Sequence, residues 1–93
     1  MTPTVLRYPD RRGRTRIEIY TDDHAPSHVH VNGVDAEAVL LLNCCETDDE
    51  SHGPVEVREV DGYRRSELND LIAFVQAHIK AICDQWRQVH GAF

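Results

Sequence analysis

Apolar and polar positions alternate along the first 60 residues and then change period. In Arg16-Ile17-Glu18-Ile19-Tyr20, an extended backbone sets Ile17 and Ile19 on one side and Arg16, Glu18 and Tyr20 on the other. Val5 to Tyr8 is a second β-prone run. The turn formers of Pro9-Asp10-Arg11-Arg12-Gly13 lie between the two, which predicts a hairpin. His28-Val29-His30-Val31 alternates again. Asn32-Gly33 suits the positive φ of a tight turn, so a second hairpin is predicted there, with Ala36 to Leu42 as the partner strand. Val55 to Arg58 is the predicted fifth strand, reached through Asn43 to Pro54, an acidic stretch rich in turn formers.

From Ser66 the spacing becomes helical. Leu68, Ile72, Val75, Ile79, Ile82, Trp86 and Val89 follow one another at steps of four and three, the seam of one amphipathic helix over about residues 66–90. Ser66 is the predicted N-cap, with Glu67 and Asp70 in the first turn, and His90 and Gly91 mark the end. Such a helix runs roughly 36 Å, whereas a strand of five or six residues spans about 17 to 20 Å. The far end of the seam, Ile82, Trp86 and Val89, is therefore expected to project beyond the sheet and meet a partner or a second copy in a homodimer. The expected fold class is α+β, an antiparallel sheet of four or five strands packed on one long C-terminal helix. A single domain is expected over residues 1–93, β-rich over 1–62.

Composition narrows the class further. With 93 residues there is room for one core, and 41% apolar with 28% charged residues is a globular balance, unlike that of a disordered or fibrous chain. The longest apolar run, Ala38 to Leu42, is far too short to span a bilayer, so no membrane partner is expected. The start Met1-Thr2-Pro3-Thr4 has no basic stretch leading into an apolar region, and a cytoplasmic location is expected. Cys44 and Cys45 are adjacent and Cys83 is distant, which makes neither an even disulfide framework nor a C-x-x-C pair; all three are expected to be reduced. The net charge of −6 is unevenly spread. Residues 1–20 carry five arginines against Asp10 and Glu18, whereas residues 21–62 carry eleven acids against Arg58 alone. That acidic middle argues against a surface gripping phosphates along its whole length and confines any nucleic-acid contact to the basic first hairpin.

Three groups of residues are candidates for chemistry. His28 and His30 lie two apart on a predicted strand and share a face, and His24 lies on the loop leading in, with Asp22 and Asp23 beside it. Nitrogen and carboxylate donors of this kind suit zinc or a similar divalent ion with a position left for water; the same histidines also suit a structural role, hydrogen-bonded to nearby backbone and carboxylates. Arg12, Arg14 and Arg16 have the period of a row on one face, fitted either to phosphates or to guarding an edge strand. Asp48, Glu50, His52, Gly53 and Glu59 echo the register of a calcium loop, but Pro54 and a following strand do not suit one, and a solvated acidic projection is expected instead. No serine triad, phosphate-cradling glycine loop or paired-carboxylate motif is visible.

Three strings carry a resemblance: Pro3-Thr4-Val5-Leu6-Arg7, then Asp23-His24-Ala25-Pro26-Ser27-His28-Val29-His30-Val31, then Gly62-Tyr63-Arg64-Arg65-Ser66-Glu67-Leu68 before a helix ending in a tryptophan. In these the chain resembles the bacterial domain-of-unknown-function 4160 family, with Ala25 and Ser27 standing where that family usually has prolines. The resemblance implies no established reaction. It does imply a neighbouring small gene, in an arrangement similar to toxin-antitoxin pairs. Three functions are left open. The leading one is a small cytoplasmic protein acting through a protein partner in such a regulatory two-gene module. The second is a metal-dependent hydrolase or nuclease centred on His24, His28 and His30. The third is an acidic inhibitor whose middle segment imitates nucleic acid.

Overall fold

The computed structural model of the chain describes residues 4–9, 14–24, 26–44 and 54–91. In chain order the elements are β1 (Thr4–Arg7), β2 (Arg16–Glu18), β3 (His28–Gly33), β4 (Ala36–Leu41), β5 (Glu56–Asp61), α1 (Arg65–Ala77) and α2 (Ile79–His90). The strands form one five-stranded sheet in the order β1-β2-β3-β4-β5, every neighbour antiparallel. The α+β class and the antiparallel sheet are as expected; the single long helix is not.

Period-2 alternation sorts the two faces of the sheet. Ile17, Val29, Val31, Ala38 and Leu40 point to the helices and pack with Leu71, Val75, Ile82 and Trp86 in one core, each at 2% exposure or less. Burying a side chain of this size stabilises by roughly 1.5–3 kcal/mol, so this face dominates the energetics. The intervening residues Glu18, His28, His30, Asn32, Glu37 and Val39 belong to the opposite face, where Glu18 pairs with His30 and His30 with Val39 across the strands.

The β3–β4 hairpin turns two residues later than its sequence suggests. Gly33 pairs with Ala36, and Val34-Asp35 form the turn, with Asp35 at φ 56°. This register sets Val29 against Leu40 and Val31 against Ala38, all core residues. Gly33 serves packing instead: a Cβ there would lie 2.5 Å from the Tyr63 hydroxyl.

The apolar seam from Leu68 to Val89 is continuous, yet the helix breaks at His78. The His78 N–H bonds to Val75 O at 3.1 Å, and the His78 ring lies 2.9 Å from Phe74 O, through Nδ1. The side chain thus serves the carbonyl that a continuous helix would satisfy from the backbone. A straight helix from Arg65 to His90 would run about 39 Å, longer than the 34 Å maximum extent of the fold. The break lets the second half return to the core. Ile82 and Trp86 are consequently fully buried in their own chain and Val89 half-buried, so Ile82 and Trp86 are core, not the projecting interface expected of them. The helix also starts earlier than expected, with Arg64 as N-cap in place of Ser66 and the Glu67 carboxylate accepting the Arg64 N–H at 2.9 Å. Gly91 closes α2 in the left-handed conformation, as its position suggests.

Cys44, just after β4, and Cys83, in α2, form a disulfide across 39 residues of sequence. The expectation of reduced cysteines is overturned for these two; Cys45 lies outside the described residues. A disulfide of this kind is more usual in oxidising compartments than in the cytoplasm. Among the described residues no helix is long and apolar enough to cross a membrane.

Candidate metal centre

β3 presents His28 and His30 side by side, their ring centroids 5.2 Å apart, with His30 half-buried and His28 buried against Trp86 of the core. The loop from β2 turns back at Tyr20, where the Asp23 N–H bonds to Tyr20 O at 3.2 Å, and this brings the Asp23 carboxylate over the two rings. Asp23 Oδ2 lies 2.9 Å from His30 Nε2 and 3.1 Å from His28 Nε2. The three ligand atoms all lie within 4.8 Å of one another. Of the three histidines expected to converge, two do so. His24 is exposed and stands on the rim of the depression in front of them, and Asp23 takes the third place.

Hydrogen bonding constrains the protons. His28 Nδ1 lies 2.8 Å from Pro26 O. A carbonyl only accepts, so Nδ1 carries a proton, and in the neutral ring Nε2 is then a bare lone pair facing a carboxylate. A proton shared between the two groups, or a cation between them, relieves that repulsion. The His28 side chain is 7% exposed and Asp23 18%, so either charge arrangement acts where water screens it weakly. Tetrahedral zinc with ligands at 2.0–2.2 Å holds its donors about 3.4 Å apart; Asp23 Oδ2 stands at hydrogen-bond distance, 2.9 and 3.1 Å, from the two imidazole nitrogens, so an ion would need the carboxylate to move outward by a few tenths of an ångström.

Aromatic rings brace the cluster from both sides. Tyr20 stacks on His30 at 3.9 Å, and Trp86 packs against His28 at 5.1 Å. His90 lies on Trp86 at 4.0 Å, and its Nε2–H donates to Tyr20 O at 3.1 Å, tying α2 to the loop that carries Asp23. Asn32 donates to both Glu18 Oε1 (2.8 Å) and the Tyr20 hydroxyl (3.0 Å), extending the polar network along the face. Trp86 is expected from sequence at an interface, and neither Tyr20 nor His90 is expected at the site, since no local spacing links a helix end to a loop 70 residues earlier.

The depression in front of the cluster, about 290 Å³, is bordered by His24, Val39, Arg58 and Glu59 as well as the three ligands. Glu37, Glu59 and Asp61 line the adjoining hollow of the same face beside Tyr20 and Asn32. An acidic surface of this kind repels a polyanion. The arginine row does not extend across it: Arg16 lies 4.0 Å from Glu18 Oε1, Arg14 is exposed outside the strands, and Arg12 lies outside the described residues. Residues 45–53, including Asp48, Glu50, His52 and Gly53 of the calcium-like pattern, also lie outside them.

Residues 15–87 match the family model described as Domain of unknown function (DUF4160). The chain belongs to that family. No curated protein and no solved structure matches it. The DUF4160 match takes in Asp23, His28, His30, Arg58, Glu59 and Trp86, so the cluster and its surroundings lie inside the family's domain.

Proposed function

We propose that this DUF4160 protein is a metal-dependent hydrolase, with a divalent ion of the zinc class held by Asp23, His28 and His30. The observation that carries the reading is the convergence of two imidazole Nε2 atoms on one carboxylate oxygen while the Nδ1 proton of His28 is committed to Pro26. A backbone carbonyl orienting a ligand histidine through its other nitrogen is the usual outer support of a metal site. Three protein donors beside an open depression match catalytic sites, whereas structural zinc sites close with four. Such an ion supplies Lewis acidity and lowers the pKa of a bound water. The chain's own part is to fix the donors: Pro26 sets the tautomer of His28, Trp86 and Tyr20 hold the two rings, and the turn at Tyr20 positions Asp23.

Tag-free protein titrated with zinc in a calorimeter tests this reading. Binding of one ion per chain is expected, lost in His28→Ala and His30→Ala and retained in His24→Ala. Absence of binding by the wild type, together with no metal above trace by elemental analysis, overturns it.

A second reading, action through a protein partner of a two-gene regulatory module, is favoured by one feature. β5 is an edge strand with all six residues exposed, among them Val57 and Val60 at 39% and 46%. Such an edge accepts a strand from another chain. Co-purification of the adjacent gene's product, abolished by a proline in β5, is the expected result.

A further inference from the structure

We infer that Arg58, turned into the depression by a β-bulge, is the anion-binding residue of the metal centre, and that the ligand recognised there carries a phosphoryl group. This rests on the metal reading above. Glu59 pairs with Val39, but the next residue of β4, Leu40, pairs with Val57, so Arg58 is an extra residue in β5. In a regular strand Arg58 would point to the helix side, opposite to Glu59. The bulge removes that alternation, and both Arg58 and Glu59 border the depression that holds Asp23, His28 and His30. Bulges commonly re-aim a side chain in this way beside a functional site. Val57 and Val60, opposite Leu40 and Ala38, keep to the helix face.

The surroundings select the ligand. Among the described residues Arg58 makes no ion pair. Without an ion, Asp23 and Glu59 outweigh Arg58 and the depression repels anions. With a divalent ion its two charges and that of Arg58 exceed the two carboxylates by one, so anion binding is coupled to metal binding. A phosphoryl group carries close to two negative charges at neutral pH and has oxygens for both the ion and the planar fork of Arg58. A small space rimmed by acids fits one such group on a small molecule and not a nucleic-acid backbone.

The test is calorimetric titration of inorganic phosphate, and separately of acetate, into zinc-loaded wild-type, Arg58→Ala and Arg58→Lys protein, with zinc affinity measured on each. Arg58 is an exposed edge position, so folding is expected to be unchanged, and zinc, no longer opposed by the arginine's charge, is expected to bind Arg58→Ala at least as tightly as the wild type. Phosphate is expected to bind the zinc-loaded wild type and not the zinc-free protein, and to lose at least about tenfold in affinity in Arg58→Ala, with partial recovery in Arg58→Lys. Zinc binding with phosphate affinity equal in wild type and Arg58→Ala overturns the role of Arg58 and leaves the metal reading standing. Acetate binding as tightly as phosphate overturns the phosphoryl assignment, and failure of the wild type to bind zinc overturns both inferences together.

Discussion

The Cys44–Cys83 bond joins the segment after β4 to the helix that carries Trp86, and breaking it is expected to lower stability sharply. It closes a loop of 39 residues. On the chain-entropy account, closing a loop of that length removes about 13 cal/mol/K from the unfolded chain, or about 4 kcal/mol at 25 °C. Domains of this class are stable by only about 5–15 kcal/mol, so the bond supplies a large share. At about 2.1 cal/mol/K per residue, unfolding a chain of 93 residues carries about 0.2 kcal/mol/K, and the loss corresponds to a fall in Tm of about 20 °C. The comparison uses Cys45→Ser as the parent, so that no third thiol can exchange, with Cys44→Ser or Cys83→Ser added. Thermal unfolding is followed by far-UV circular dichroism, and thiols are titrated in the denatured, unreduced parent. Both added substitutions should lower Tm, Cys83→Ser by more because it also places a hydroxyl in the core, and the parent should show no titratable thiol. Two free thiols in the parent, or a fall in Tm under about 5 °C, would refute the reasoning.

Other expectations follow from the packing around the site. Trp86→Ala should cost about 3–5 kcal/mol in denaturant unfolding, because the ring is wholly buried; it should also weaken zinc binding in the protein that remains folded, since Trp86 backs His28. Wild-type stability matched by Trp86→Ala would show that α2 does not complete the core. Gly33→Ala should cost about 1–3 kcal/mol, as the new Cβ meets the Tyr63 hydroxyl. Adding Tyr63→Phe should recover part of that loss, and a double variant no more stable than the sum of its parts would sink the contact as the cause.

Residues whose roles depend on their near neighbours were readable in the sequence. The alternation of Ile17 and Ile19, and of Val29 and Val31, named the buried face, and the spacing of His28 and His30 put both rings on the other. Those assignments follow from backbone periods of 2 and 3.6 residues, which each segment expresses without reference to the rest of the chain. The helical seam was readable on the same ground, but its break at His78 was not: the steps of three and four run straight through, and neither glycine nor proline marks the site. The break serves the need of Ile82 and Trp86 to reach the core, a need set by the size of the sheet. Tertiary structure likewise decided which acid meets the histidines, which cysteines pair, where the hairpin turns and which β5 residue is extra. Each of these depends on how distant segments close on one another. Asp23 replaces His24 because the turn at Tyr20 aims one loop residue inward and leaves its neighbour on the rim, and Arg58 reaches the depression because pairing with β4 leaves one residue of β5 without a partner position.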